Sequence, residues 1–301
     1  MSTYIARAVM TGAAGFVGTA LRARLGAEAV AIRLGGSDWE GQIRAAPLRD
    51  STVFHLAARV HASSRRDEAL LMRDNVEKTR ALAGAAAQAG ARRLVFLSSI
   101  KVNGEETAGR PFECDDPPSP QDAYGLSKWR AEQALASAAG RGGLEVVVVR
   151  APLVYGPGVK GNLLSLLRLA DTPCPLPFAA LDNRRSFVHV DDLARLLLEC
   201  GAQPHAAGGL FLAAHPDSVS TARLVARMRD VLARPRRLWR MRASLFESLA
   251  APLGLRSVAR RLTRSLEVDA GAARRSLGWE AIIGFDATVE DLVRGYKDSM
   301  A

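Results

Sequence analysis

With 301 residues, 48% of them hydrophobic, the chain can build one large α/β domain, or a dinucleotide-binding domain with a small lobe beside it. No apolar run reaches the ~18–20 residues of a membrane span, and because the N-terminus runs straight into the first strand no signal peptide is expected. Forty-one Lys and Arg against 31 Asp and Glu give a net charge of +10, which keeps anionic ligands in view.

In chain order, Ala6–Met10 is short and mostly apolar and reads as a buried parallel strand. The turn Thr11-Gly12-Ala13-Ala14-Gly15-Phe16-Val17-Gly18 follows, and Phe16, Val17, Ala20, Leu21 and Leu25 then recur at helical spacing over Phe16–Leu25. Strand, glycine turn and helix form the context of a dinucleotide site, with the pyrophosphate at the helix N-terminus. Further strands are expected at Ala29–Arg33, Thr52–His55, Leu94–Ser98, Glu145–Arg150 and Gly209–Ala213. Helices are expected at Glu68–Ala89, Ala123–Ala139 and Asp191–Cys200. The alternation predicts a doubly wound parallel sheet with a smaller C-terminal substrate lobe.

Residues 1–155 are assigned to the dinucleotide-binding domain, with 184–215 returning to it. The substrate lobe takes 156–183, a stretch rich in Pro (Pro173, Pro175, Pro177), and 216–301. The last third carries most of the excess charge, at Arg234, Arg236, Arg237, Arg256, Arg260, Arg261, Arg264, Arg274 and Arg275. Nucleic-acid binding is one interpretation, and attachment to an anionic membrane through Phe246, Leu249, Leu253 and Leu255 is another. With no nucleic-acid motif beside the charge, a solvated arginine-rich surface is the reading adopted. Cys114, Cys174 and Cys200 form no Cys-x-x-Cys pattern, and the five histidines no His-x-x-x-His, so a reducing compartment and no metal are expected.

Tyr124 and Lys128, four residues apart in Asp122-Ala123-Tyr124-Gly125-Leu126-Ser127-Lys128-Trp129, place a phenol and an ammonium on one helix face. A fixed cation beside a tyrosine favours the phenolate, which brings proton exchange with a hydroxyl or carbonyl towards neutral pH. Hydride transfer at a C–O centre requires that exchange. Ser99, just past an apolar strand, could hydrogen-bond the same substrate oxygen; the alternative is a turn serine that caps backbone groups.

These motifs, with His55-Leu56-Ala57-Ala58, Asn75-Val76-Glu77-Lys78-Thr79, Ser98-Ser99-Ile100-Lys101-Val102-Asn103-Gly104, Arg150–Gly158, Arg185–Leu193 and Leu277-Gly278-Trp279, run nearly end to end. Together they resemble the extended short-chain dehydrogenase/reductases of epimerase/dehydratase type that act on nucleotide sugars. The resemblance implies NAD or NADP held by Gly12, Gly15, Phe16, Val17, Gly18, Leu56, Ala57, Ala58, Asn75, Tyr124 and Lys128. It implies catalysis by Tyr124, Lys128 and Ser99, with Ser98 as a neighbour of the site. Substrate contacts are implied at Ser99, Lys101, Asn162, Arg185 and Phe187, and Arg261 or Arg264 offers a second phosphate contact. For the arginines a surface ion pair is the alternative, and planar guanidinium forks suit a diphosphate.

Two departures narrow this expectation. The dehydratases of the family place Asp-Glu after the active hydroxyl residue; here Ile100 and Lys101 stand there, which disfavours dehydration. Only 34 residues separate Gly18 from Val53, fewer than usual, so part of the second or third strand region is missing. Arg33 takes the place of the usual acidic residue closing the second strand, which would suit an NADP 2′-phosphate, and Asp50 stands as the remnant of the adenine-side Gly-Asp-x-x-Asp stretch.

Three functions are carried forward. The first is reduction of a UDP-4-keto-6-deoxy-N-acetylhexosamine for surface polysaccharide, which Ser-Ser-Ile-Lys-Val-Asn-Gly resembles most. The second is 4-epimerisation of a UDP-hexose, and the third a non-catalytic dinucleotide-binding sensor. The expected partners are a UDP-sugar and a second copy of the chain, with no nucleic acid and no integral membrane span, in the cytoplasm.

Overall fold

In the computed structural model, which describes residues 5–60 and 64–300, the chain enters through β1 (Ala8–Thr11), buried at every position as a central parallel strand must be. After the glycine turn come α1 (Phe16–Leu25), β2 (Val30–Ile32), α2 (Trp39–Arg44) and β3 (Thr52–His55). His61 lies outside the described residues. The next elements are α3 (Arg65–Met72), a π-helical turn (Arg73–Glu77), α4 (Lys78–Ala89), β4 (Arg93–Ser99), α5 (Ala123–Ala138) and β5 (Glu145–Ala151). Beyond them lie β6 (Leu153–Tyr155), α6 (Gly161–Ala170), β7 (Phe187–His189), α7 (Val190–Ala202) and β8 (Leu210–Leu212). The remainder is helical: α8 (Thr221–Val231), α9 (Ala243–Ala250), α10 (Arg256–Thr263), α11 (Gly271–Leu277) and α12 (Phe285–Asp298).

Six strands form a parallel sheet in the order β2-β1-β3-β4-β5-β8. Successive residues of β1 point to opposite faces, Val9 into one core and Met10 into the other. Met10, Phe54, Val147 and Val149 pack beneath α1, α7 and α11 through Leu21, Leu193, Leu197 and Ala273. Val9, Val53, Leu94 and Phe96 pack beneath α2, α4 and α5 through Ile43, Leu82, Ala86 and Leu135. Helices therefore cover both faces, the doubly wound arrangement expected from the sequence. A separate core joins β6, β7, α6, α8 and α12 around Tyr155, Leu167, Phe187, Met228 and Leu292.

The chain leaves β1 for β2 on one side and returns to β3 on the other, so the strand order reverses at the carboxyl ends of β1 and β3. Such a reversal opens the crevice where α/β sheets take their ligands. The Gly12–Gly18 turn and Leu56-Ala57-Ala58 both emerge there.

Several boundaries differ from the sequence reading. The helix expected over Glu68–Ala89 is interrupted by the π-helical turn, which places Asp74 and Asn75 out of helical register. The three-residue strands β6 and β7, paired only with each other, were not anticipated. Asp50 lies at the amino end of β3, exposed, with φ +54° and Arg49 3.6 Å away. That is the end of the sheet away from the crevice, so Asp50 is not an adenine-side residue. Among the described residues no strand pairs beyond β2, which accounts for the short spacing between Gly18 and Val53.

Candidate active site

Ser99 ends β4, and the backbone turns immediately into a single 3-10 turn, Ile100–Val102, whose Lys101 N–H donates to Ser99 Oγ at 3.3 Å. Helix α5 begins against that turn. Its N-cap Asp122 accepts from Gly125 N at 2.6 Å, and a Cβ at Gly125 would stand 2.7 Å from the Lys101 carbonyl oxygen. Glycine after Tyr124 thus permits the close approach that brings α5 onto the Ser99 turn. The Ser99 hydroxyl comes beside the Tyr124 phenol across it.

The electrostatics of this pair differ from the sequence expectation. Burial pushes the Tyr124 phenol up to about 12, the neighbouring Ser99 hydroxyl opposes this, and the Asp122 charge adds to it. Lys128 does not act on the phenol as supposed, because its side chain turns inward. It is 1% exposed, with Nζ 3.8 Å from the centroid of the Phe96 ring, and burial lowers it to about 7 against the pull of Glu132. In this state the phenol is a proton donor rather than a base.

Several groups that sequence reasoning left without a role support the cluster. His55 is fully buried, its ring nitrogens 2.7 Å from the hydroxyls of Thr11 and Thr79. Thr79 Oγ1 donates to the Asn75 carbonyl at 2.6 Å, which makes His55 Nε2 the protonated nitrogen and Nδ1 the acceptor from Thr11. Burial, then the Lys128 charge, holds His55 down at about 3, so it stays neutral. Ser98 Oγ donates to Glu132 at 2.5 Å, and Glu132 takes both arms of the Arg150 guanidinium, at 3.0 and 2.6 Å. Arg150 also donates to Asn103 Oδ1 at 3.0 Å, closing a buried network behind Ser99. The signal for Glu132 was present: it stands one helical turn after Lys128.

Asn75, in the π-helical turn, donates to the Arg59 carbonyl at 2.8 Å and to Ser127 Oγ at 2.9 Å, and accepts from Arg59 N at 2.8 Å. It ties the loop after β3 to the tyrosine helix. Asp74 beside it is drawn down to about 2 by hydrogen bonds from Lys78 and Arg59 despite burial.

At the crevice, Gly12 has φ +71°, and a Cβ there would lie 2.7 Å from Ala57 N, so only glycine lets the turn pack on the strand beside it. Gly18 lies in α1 against the Gly12 carbonyl. The amino end of α1 has no side-chain cap at Gly15 and no acidic residue in its first turn, with Phe16 and Val17 opening the helix. Uncapped N–H groups at a positive helix end fit a dinucleotide pyrophosphate. Arg33, one residue past β2, is exposed and has no ion pair among the described residues.

The substrate-side candidates fall into three groups. Lys101, Arg185 and Arg261 gather around Glu105, another residue the sequence did not single out. Lys101 Nζ is 2.9 Å from Glu105 and also pairs with Asp122. Burial lowers Arg185 to about 10, as does the charge of Arg261, while Glu105 raises it. Among the described residues the Arg185 side chain donates only to the Arg264 carbonyl, at 3.1 Å, so its fork keeps free donors. Beside it, Glu105, Glu106, Gln121, Arg256, Arg260 and Arg261, with Ser257 and Arg264, line a cavity of about 400 Å³. Arg264 itself is paired with Glu247 at 2.9 and 3.0 Å.

Asn162 is exposed at the start of α6 and makes no side-chain hydrogen bond to a described residue. Phe187, expected on a pocket wall, is instead a core residue, 3% exposed and tilted against Tyr155 at 5.2 Å. No group of three or more His, Cys, Asp or Glu among the described residues could hold a metal ion.

Residues 8–210 match the NAD dependent epimerase/dehydratase family, and the chain belongs to it. It is an NAD(P)-dependent nucleotide-sugar enzyme of the extended short-chain dehydrogenase/reductase type. It is 38% identical over 242 residues to a UDP-glucose 4-epimerase of Vibrio cholerae, covering 78% of this chain and 73% of that one. The fold matches RMD from Pseudomonas aeruginosa complexed with NADPH, with TM-score 0.78 and 20% identity over 97% of this chain and 99% of that one. It also matches MoeE5 in complex with UDP-glucose and NAD, with TM-score 0.76 and 24% identity over 98% and 100%.

Proposed function

We propose that the protein reduces the C4 carbonyl of a UDP-linked 4-keto-6-deoxy-N-acetylhexosamine, a step in making surface polysaccharide. The observation that carries this reading is Tyr124 beside Ser99, its phenol pushed up to about 12 by burial and so protonated at neutral pH. Reduction of a carbonyl needs a proton donor at the oxygen, and a phenol kept neutral is one. A bound reduced nicotinamide supplies the hydride. Ser99 and Tyr124 both donate to the C4 oxygen, and Tyr124 passes its proton to it as the C–H bond forms. Lys128 holds the nicotinamide ribose. Arg185 and Arg261 take the diphosphate, with Asn162 making polar contacts to the same diphosphate region.

Dehydration lacks its acid and base. Ile100 carries no proton, and the Lys101 ammonium is engaged by Glu105 and Asp122. A non-catalytic sensor would need neither the Ser99–Tyr124 pair nor the network behind it. In this reading the enzyme acts in the cytoplasm, as a homodimer, and binds no nucleic acid.

A second reading, 4-epimerisation of a UDP-hexose, is favoured by the 38% identity to the Vibrio cholerae epimerase. The two readings separate in one experiment. With a UDP-4-keto-6-deoxy-N-acetylhexosamine, the wild type should consume NAD(P)H stoichiometrically, followed at the reduced-nicotinamide absorbance. Tyr124→Phe should lower turnover by ~10²–10⁴-fold while cofactor binding survives. Efficient UDP-glucose/UDP-galactose interconversion with no net cofactor consumption would replace the reductase with the epimerase. Tyr124→Phe within about twofold of wild type would remove the tyrosine from either mechanism.

A further inference from the structure

Helices α9 and α10 pack on each other and on the substrate lobe through Phe246, Ala250 and Ala259, Phe246 meeting Phe178 edge-on at 5.8 Å. Their other side is open. Leu245, Leu249 and Leu253 recur at every fourth residue and are exposed, Leu249 by 55% and Leu253 by 72%, and Leu255 and Val258 continue the exposed run into α10. A soluble surface rarely leaves five large apolar side chains this accessible on one short helical hairpin.

The charges beside them are almost all of one sign. From Trp239 to Arg264 the chain carries Arg240, Arg242, Arg256, Arg260, Arg261 and Arg264 against the single carboxylate Glu247. Glu247 is engaged by Arg264, whereas Arg240, Arg242 and Arg256 have no acidic partner within 4 Å among the described residues. A second copy of the same face would bring arginine against arginine. An anionic lipid surface would accept the leucines below its headgroups and pair the arginines with phosphates.

We propose that the α9–α10 hairpin is an interfacial membrane-docking element whose partner is an anionic bilayer. No helix among the described residues is long and apolar enough to cross a membrane, so the contact lies in the plane of the interface. Helix α10 also lends Arg256, Ser257, Arg260 and Arg261 to the arginine-lined cavity, so docking and phosphate binding share one element. The proposal stands on the exposed leucines and unpaired arginines alone and does not depend on which sugar is reduced.

The test is flotation of the full chain with vesicles of phosphatidylcholine and phosphatidylglycerol in equal parts, beside vesicles of phosphatidylcholine only. Wild type should float with the anionic vesicles at least tenfold more than with the neutral ones, and raising salt to ~1 M, where screening acts within about 3 Å, should reduce this. Leu249→Asp with Leu253→Asp should lower flotation at least tenfold and leave turnover of the soluble substrate unchanged. Leu253→Ser alone, at the most exposed of the leucines, should give a smaller loss in the same direction and guards against a folding defect in the double variant. Absence of flotation with either vesicle, or flotation of the double variant equal to wild type, would overturn the proposal. So would self-association in light scattering that the same substitutions abolish without any vesicle binding, which would assign the surface to a second copy.

Discussion

Lys128 shows how far a spacing can be trusted. That Tyr124 and Lys128 share a helix face was legible, because four residues make about one turn. Where the ammonium goes was not, because Phe96, His55 and Glu132 come from β4, β3 and the next turn of α5. The outcome is a lysine lowered to about 7 by burial, and its stability consequence has a definite sign. Between pH ~7 and ~10.5 the unfolded chain keeps the lysine proton and the folded protein has lost it, so stability rises with pH across that window. Below about 7 both states are charged and the full burial penalty stands. Lys128→Met removes the titrating group. It should be more stable than wild type at pH 6, on the order of a few kcal/mol, and the gap should close as pH approaches 10. Urea midpoints of both proteins at pH 6, 8 and 9.5 check this; parallel pH profiles would mean that Lys128 keeps its ordinary ionisation.

At the scale of elements, the strands that carry the sheet were readable because all but the edge strand β2 are short, largely buried apolar runs. The segments Thr52–His55 and Phe16–Leu25 fall where sequence pattern put them. The π-helical turn was not readable, since one extra residue per turn leaves the apolar spacing on either side almost intact. The Ser98–Glu132–Arg150–Asn103 network was hidden for another reason: its members come from four segments that only the fold brings together. The amino turn of α5 is the element on which the proposed reaction depends most directly. Its approach to the Ser99 turn requires the missing Cβ of Gly125, and Gly125→Ala would press a methyl against backbone, the Lys101 carbonyl oxygen, which cannot swing aside like a side chain. The turn and the helix must move apart, and Tyr124 moves from Ser99 with them. Displacements near 1 Å cost reacting groups up to about a hundredfold, so kcat should fall ~10–100-fold with cofactor affinity nearly unchanged. Steady-state kinetics beside cofactor titration separate this from a general loss of fold, which would lower both together.

At the scale of the molecule, the sheet is shortened on one side only. With no strand beyond β2 among the described residues, that end of the crevice is bounded by a three-residue edge strand and the stretch Arg33–Asp38, exposed except for the buried Leu34. The missing strand was legible as a short interval between the glycine turn and β3, and Arg33 as a cation where an acidic residue usually sits. What could not be read was the surrounding space, which depends on how α2 returns to the sheet. Arg33 is exposed and has no carboxylate partner among the described residues, so its guanidinium is available to an anionic group arriving at the end of β2. An acidic residue there would accept from ribose hydroxyls and repel a 2′-phosphate, whereas an arginine attracts the phosphate. Reversal of that charge should therefore discriminate between the two cofactors. Arg33→Asp is expected to weaken NADPH binding by roughly 1–3 kcal/mol, about 5–150-fold, while NADH binding changes little or improves. Fluorescence titration of both reduced cofactors against wild type and variant measures the difference. Equal losses for NADPH and NADH would mean that Arg33 lies away from the ribose, and the cofactor choice would then rest on the Gly35–Asp38 stretch that follows it.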